Sequence, residues 1–427
     1  MTLGLLFGLF ALLLIIEIPV AFALAFSSLG VIWHDQTVPL TIVVQRMASG
    51  IESFPFLAIP LFILAGNLMN RAGIAARIYA FALSLMGHIR GSLAHVNVLA
   101  SMIFAGMSGV AQADAAGIGT IEIKHMKEQG FDPAFSAAVS AASAVIGPII
   151  PPSVIMVVYA VNAQASVGDL FLAGVIPGFI MGFALMAMIY WMAVTGRIVA
   201  PVQPRANLRE IRRSFVAAFP ALLAPIILCG GIVIGIATPT ELGALTVVYA
   251  IVLGFWQREL TWREVSDAAA ETLVTYGVLV LIIAAAVPFG WVVAVTEAPQ
   301  KLAELLFAIS QDKWVILGII NVLLLIAGCF METTAILLIA TPTLLPLVKQ
   351  LGVNEVHFGL MMIINLLIGA LTPPFGVLLF ITMDIAKVSF AAIVRAFIPF
   401  YVPLAVVLLM VTYWPEMVMF LPNLFKD

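Results

Sequence analysis

The chain has 427 residues, 63% of them hydrophobic and 10% charged, with a formal net charge of −3. Soluble domains carry about 25% charged residues. This composition excludes a soluble globular enzyme, and no nucleic-acid partner is expected. A membrane-spanning helix needs about 20 apolar residues. Segments that approach or exceed this length recur in chain order: Leu3 to Trp33, Pro55 to Leu68, Phe171 to Val194, Phe215 to Ile236, Leu242 to Trp256, Leu273 to Val295, Trp314 to Phe330, and Phe397 to Met410 with its extension. The longest polar stretch, Thr195 to Ser214, reads as a loop. The expected architecture is one all-α polytopic membrane domain of about ten spans.

The first segment does not read as a cleavable signal: no Lys or Arg precedes it, and its apolar run is too long for an h-region. Pro19 leaves it as one long helix or two short ones, with Glu17 as a helix-break residue. Cys229 and Cys329 both sit in apolar segments and read as small core hydrophobes. Arg197, Arg205, Arg209, Arg212 and Arg213 cluster in one short loop, and Arg258 and Arg263 lie in the next basic loop. The excess of Lys and Arg in cytoplasmic loops places both loops inside, with His88, Arg90, Lys124 and Lys127 on the same side. The segment between them must go out and come back. Its break is Thr238-Pro239-Thr240-Glu241, which makes Glu241 a loop carboxylate or a helix N-terminal residue.

Shifting the chain by 222 positions superposes two stretches without a gap. Gly106 falls on Gly328, Lys127 on Lys349, Gly130 on Gly352, Ile146-Gly147 on Ile368-Gly369, Pro151-Pro152 on Pro373-Pro374, and Ile176-Pro177 on Ile398-Pro399. Internal repeats of this kind mark secondary transporters. Repeat one is expected over about 55–195. The cytoplasmic basic loop follows at 196–214, and linking helices with repeat two occupy 215–420. Sequence similarity alone does not orient the repeats, and the count of basic loops leads us to expect that they are inverted.

Each repeat holds two irregular segments. The first is a polar tip between short apolar arms: Gly106 to Gly117, with Ser108, Gly109 and Asp114, and its counterpart Gly328 to Ala335, with Glu332, Thr333 and Thr334. Such a tip reads as a re-entrant helical hairpin, because non-helical backbone at membrane depth is tolerated only inside protein or beside a water-filled cavity. The second is a helix broken by two prolines: Gly147, Pro148, Pro151, Pro152 and Ser153, matched by Gly369, Thr372, Pro373 and Pro374. Proline removes a backbone donor and frees a carbonyl four residues back. Freed carbonyls and hydroxyls supply oxygen ligands without formal charge, which suits Na⁺. One cation site is expected from Ser108, Gly109, Gly147 and Pro148, and a second from Thr333, Thr334, Gly369 and Thr372. Asp114 is either a functional carboxylate within the membrane or a hairpin residue reaching cytoplasmic water. Asp114, Pro151, Pro152, Ser153, Glu332, Pro373 and Pro374 are candidates for the substrate pathway. Asp384 reads as the end of an apolar helix. No Ser-His-Asp arrangement, Walker A loop, zinc spacing or dinucleotide fingerprint stands in context. Enzyme activity, ATP-driven transport, organic cofactors and metals other than Na⁺ are therefore not expected.

Together these stretches resemble the large membrane subunit of tripartite ATP-independent periplasmic (TRAP) transporters. The resemblance is carried by Pro19 to Leu24, Ser108-Gly109 with its alanine-rich sequel, Ala142 to Tyr159, Leu170 to Gly178, Gly235 to Glu241, and Phe358 to Gly376. The family often has Ser-Gly-Ser at the first tip. Here Val110 follows Ser108-Gly109, which confines any role of position 110 to its backbone. The resemblance implies a Na⁺-driven elevator-type transporter in the bacterial inner membrane, taking up organic acids such as C4-dicarboxylates and sialic acids. It also implies a small membrane subunit and a periplasmic substrate-binding protein as partners. The alternatives are a stand-alone Na⁺/dicarboxylate symporter of related architecture and a membrane assembly subunit with no pathway of its own. The orientation has a direct check: a cysteine replacing Asn207 resists an impermeant thiol reagent on intact spheroplasts, and ready labelling would reverse the assigned sidedness.

Overall fold

In hydrocarbon every backbone N–H and C=O needs a partner within the protein, and a helix supplies one segment by segment. The computed structural model describes residues 2–36, 38–199, 201–233 and 235–425, and no strand occurs among them. The chain opens with α1 (Thr2–Ile15) and α2 (Val20–Asp35), which pack against each other. The first apolar segment is therefore two short helices. Glu17 takes a left-handed turn (φ 64°) and Pro19 begins α2.

Next come α3 (Thr41–Gly50), a 3-10 turn (Phe54–Leu57), α4 (Ala58–Arg71) and α5 (Ile74–Met86). The first repeat continues with α6 (Ser92–Ser108), α7 (Ala111–Ala116), α8 (Ile118–Glu128), α9 (Pro133–Ala144), α10 (Val154–Ala163) and α11 (Val167–Val194). Linking helices follow: α12 (Leu208–Val233), α13 (Pro239–Trp256), α14 (Trp262–Val295) and α15 (Ala298–Ile309). The second repeat holds α16 (Lys313–Phe330), α17 (Thr333–Gln350), α18 (Glu355–Gly369), α19 (Val377–Ala386), α20 (Phe390–Phe397), a 3-10 turn (Ile398–Phe400), α21 (Tyr401–Tyr413) and α22 (Pro415–Leu424).

Among the described residues, 8 helical segments are long and apolar enough to cross a membrane, where the sequence led us to expect about ten spans. The difference lies in shorter apolar helices, such as α1, α2, α6 and α10, which are cut by turns before they reach spanning length. Three helices begin earlier than hydropathy indicates, each for a capping reason. The α12 helix starts at Leu208, inside the expected loop, because Asn207 and Glu210 exchange two side-chain-to-backbone hydrogen bonds of 2.9 Å. The α14 helix starts at Trp262 on a Thr261/Glu264 capping box. At 34 residues it runs about 50 Å, well beyond the roughly 30 Å hydrocarbon core. The α13 helix starts at Pro239 on a Thr238/Glu241 box, so Glu241 is a helix N-terminal residue. Asp384 pairs with Lys387 at 2.8 Å on the exposed end of α19. Cys329 is half-buried, and the Cys229 side chain lies outside the described residues.

The 222-residue offset recurs in the elements. The ends of α6 and α16, the starts of α7 and α17, the ends of α8 and α17, and the starts of α9 and α18 all differ by it. Both returning arms close with the same motif. Gly130 N–H donates to Lys127 and Phe131 N–H to Met126, just as Gly352 donates to Lys349 and Val353 to Val348. Both glycines have positive φ, 85° and 69°, which only glycine adopts at no steric cost. Both Pro-Pro bonds are cis. Contacts between the repeats are reciprocal: α10 packs on α17 and α18, and α19 packs on α7, α8 and α9.

Hairpin two meets its broken helix where Gly328 crosses Gly369. A Cβ on Gly369 would stand 2.7 Å from Gly328 Cα. Small residues let helices in a membrane approach this closely. Gly369→Ala is therefore expected to destabilise the protein by about 2 kcal/mol through overpacking. Gly277→Ala, with open space around it, is the control and should have little effect. Melting curves of the purified variants check this.

Candidate functional site

A cavity of about 390 Å³ opens between the two hairpin tips. Tip one contributes Gly109, Val110, Ala111 and Gln112, tip two contributes Glu332, Thr333 and Thr334, and the first break contributes Pro148, Val154 and Ile155.

Tip one is fixed by backbone geometry. Gly109 ends α6 at φ 65°, and a Cβ there would lie 2.5 Å from Pro152 O. Its carbonyl accepts the Val154 N–H at 3.2 Å, which ties the first tip to the first break. Ser153 caps α10: its hydroxyl accepts from Met156 N at 3.3 Å and donates to Pro148 O at 2.6 Å. Pro151 and Pro152 are buried behind this turn and do not line the cavity. Tip two is capped by Glu332, whose carboxylate accepts from Ala335 N at 3.0 Å and from Thr334 Oγ1 at 2.9 Å. Thr333 and Thr334 stand at the cavity wall.

The second break behaves differently from the first. Only Leu367 of α18 reaches the cavity, while Gly369, Thr372, Pro373 and Pro374 do not line it. They sit behind tip two, where Phe375 N–H donates to Cys329 O at 3.3 Å and Pro374 is exposed. Several of the freed carbonyls already have one partner. Besides Ser153 on Pro148, Thr372 N–H donates to Gly369 O at 2.8 Å and Leu378 N–H to Ala370 O at 3.3 Å. Each carbonyl retains a second lone pair. The Thr372 hydroxyl donates to Ile368 O at 2.8 Å.

Asp114 does not reach water. It is 1% exposed on α7 and hydrogen-bonded by the Ser108 hydroxyl, and its Oδ2 has no hydrogen-bond partner. That oxygen faces Gly147, where any Cβ would collide with it. Ser108, Asp114 and Gly147 therefore form one cluster just behind tip one.

Two elements of the site were not read from the sequence. One wall of the cavity is α14, through Val274, Thr275, Val278, Leu279 and Ile282. These residues look like any apolar span and carry no signal. A second cavity of about 80 Å³ lies beside Ser108, lined by Asn67 and Asn70 of α4 together with Thr275. Asn67 donates to Thr272 Oγ1 at 3.1 Å. Two asparagines three apart in an apolar helix were the available signal. Among the described residues no group of three His, Cys, Asp or Glu could hold a metal.

The model of the family described as "Tripartite ATP-independent periplasmic transporter, DctM component" matches residues 7–417. The chain is 42% identical over 414 residues to the sialic acid TRAP transporter large permease protein SiaM of Vibrio cholerae, covering 97% of this chain and 96% of that protein. It is 40% identical over 373 residues to the C4-dicarboxylate TRAP transporter large permease protein DctM of Pseudomonas aeruginosa, covering 87% of each. In fold it is similar to the YdaH transporter of Alcanivorax borkumensis, with a TM-score of 0.63 over 88% of this chain and 89% of that one, at 13% sequence identity.

Proposed function

This chain belongs to the DctM family of TRAP transporter large permeases, a multi-pass inner-membrane transport subunit and not an enzyme, and we propose that it drives uptake of an organic anion with Na⁺. The observation that carries this reading is the shared cavity: both hairpin tips and the first broken helix line it, which is where repeat-built transporters hold substrate and ion. The relatives named for sialic acid and C4-dicarboxylates support a carboxylate as the substrate class. By the same resemblance, a small membrane subunit and a periplasmic binding protein complete the transporter, the latter delivering substrate.

Ser108, Gly109, Gly147 and Pro148 make the first Na⁺ site, beside the carboxyl of Asp114. Thr333, Thr334, Gly369 and Thr372 make the second, below the Glu332 cap. Ser153 and the paired prolines shape the turns that present these oxygens. The two repeats are inverted and move as an elevator: hairpins and broken helices carry the cavity across, while α14 stays fixed with α2, α3 and α4, on which it packs. The reciprocal packing of α10 and α19 on the opposite repeat supports a pseudo-two-fold relation between them.

In vesicles holding the permease and its partners, Ser108→Ala with Thr372→Val should raise the Na⁺ concentration for half-maximal uptake at least several-fold. Unchanged Na⁺ dependence in a folded protein would remove these sites. In the same vesicles, cysteines replacing Val110 and Val278 across the cavity should, once bridged by a reducible cross-linker, arrest uptake until the bridge is cleaved. Full-rate uptake with the bridge in place would rule out movement of the hairpin past α14.

A further inference from the structure

A second buried polar cluster lies inside hairpin one, apart from the cavity. Glu122 of α8 is fully buried, with Ser101 Oγ of α6 at 3.5 Å from one carboxyl oxygen and Ser140 Oγ of α9 at 3.3 Å from the other. Asn97 of α6 donates to Ser140 Oγ at 2.5 Å and accepts from Ser143 Oγ at 2.8 Å, and Ser101 donates to Ser143 Oγ at 3.0 Å. None of these five residues lines either site cavity. Among the described residues no Lys, Arg or His pairs with Glu122. A carboxylate placed this way needs a counter-charge.

The fold does not require the cluster. At the 222-residue offset Glu122 corresponds to Leu344, Asn97 to Ile319, Ser101 to Leu323 and Ser140 to Met362. Repeat two builds the same hairpin and arm with these apolar residues. Only Ser143 has a polar counterpart, Asn365. Packing alone therefore gives no reason for a carboxyl at Glu122.

The spacing of the oxygens indicates what fills the role. A hydroxyl bonded directly to a carboxylate sits at about 2.5–2.7 Å, and both serines stand farther off. Two oxygens that share a cation at bond lengths of about 2.4 Å lie about 3.4 Å apart. One carboxylate among neutral hydroxyls and an amide oxygen balances a single positive charge.

We infer that Glu122, with Ser101 and Ser140, binds a dehydrated monovalent cation of Na⁺ size between α6, α8 and α9. The site shares no residue with the two proposed at the tips. The ion clamps both arms of hairpin one to the first broken helix, so that tip one and its break travel together.

The test is equilibrium binding of ²²Na⁺ to the full-length permease in lipid nanodiscs, for the unaltered protein, Glu122→Gln, and both again in the Ser108→Ala/Thr372→Val background. Glu122→Gln should remove one bound Na⁺ in either background. Ser140→Ala, which takes away one ligand and keeps the charge, should weaken that ion roughly tenfold. Equal Na⁺ binding with and without the Glu122 carboxylate overturns the inference, because the group is then held as a neutral acid. If Glu122→Gln does not fold, Ser140→Ala and Glu122→Leu, the residue repeat two uses, decide the question by the same readout. The double background separates this site from the tip sites: ions lost only there bear on the tips, and an ion lost only with Glu122 bears on this site.

Discussion

Every helix break at membrane depth leaves backbone donors and acceptors without helical partners, and here most of them find partners in the adjoining hairpin or within the turn itself. Val154 N–H closes onto Gly109 O in the first repeat, and Phe375 N–H closes onto Cys329 O in the second. Ser153 bridges the turn it caps by holding Pro148 O and Met156 N together. An unsatisfied backbone group in hydrocarbon costs several kcal/mol. A tip that moved without its break would incur that cost directly. Hairpin and broken helix are therefore tied together in each repeat, and the glycines at the contact let the backbones meet. Gly109 against Pro152 and Gly328 against Gly369 leave no room for a Cβ.

On this common backbone the two repeats carry different chemistry. Repeat one places Ser108, Asp114 and Glu122 along its hairpin, where repeat two has Phe330, Ile336 and Leu344. Repeat two has Glu332, Thr333 and Thr334 at the tip itself, where repeat one has Val110, Ala111 and Gln112, and it buries a different polar pair, Asn321 and Asn365. Exposure follows the same asymmetry. The first break is buried throughout Gly147 to Ser153, while Pro374 and Phe375 of the second are exposed. The geometry that satisfies the backbone recurs at the 222-residue offset, while the side chains placed on it differ.

This division explains what was legible in the sequence. The tips, the Pro-Pro breaks and the 222-residue offset were readable because glycine and proline are demanded by backbone geometry and recur wherever it does. The boundaries of α12 and α14 were not, since Asn207 with Glu210 and Thr261 with Glu264 extend helices through residues too polar for a hydropathy window. The Glu122 cluster was missed for another reason. Its members come from three helices: Asn97, Ser101, Ser140 and Ser143 are each an ordinary small or polar residue in an apolar run, and Glu122 stands among the charged residues of α8. Only the fold brings Asn97, Ser101, Glu122, Ser140 and Ser143 together. Asp114 was visible as a carboxylate within a span, but its burial against Gly147 required the structure.

The α14 wall was invisible to sequence reasoning because its role depends on bland chemistry. Its cavity face is Val274, Val278, Leu279 and Ile282, which offer neither donors nor acceptors, and the Thr275 hydroxyl is turned back onto Glu271 O at 3.0 Å. The described polar ties of α14 run instead to α4, through Asn67 on Thr272 and Arg71 on Glu271 at 2.6 Å. A boundary along which one body slides past another should carry no directional bonds that must break at each cycle, since leaving a buried partner unsatisfied costs about 1–3 kcal/mol. Apolar contact is non-directional and survives a change of register. The hairpins are thus joined by backbone hydrogen bonds to their broken helices, and meet α14 across apolar side chains, an arrangement that suits the proposed elevator movement.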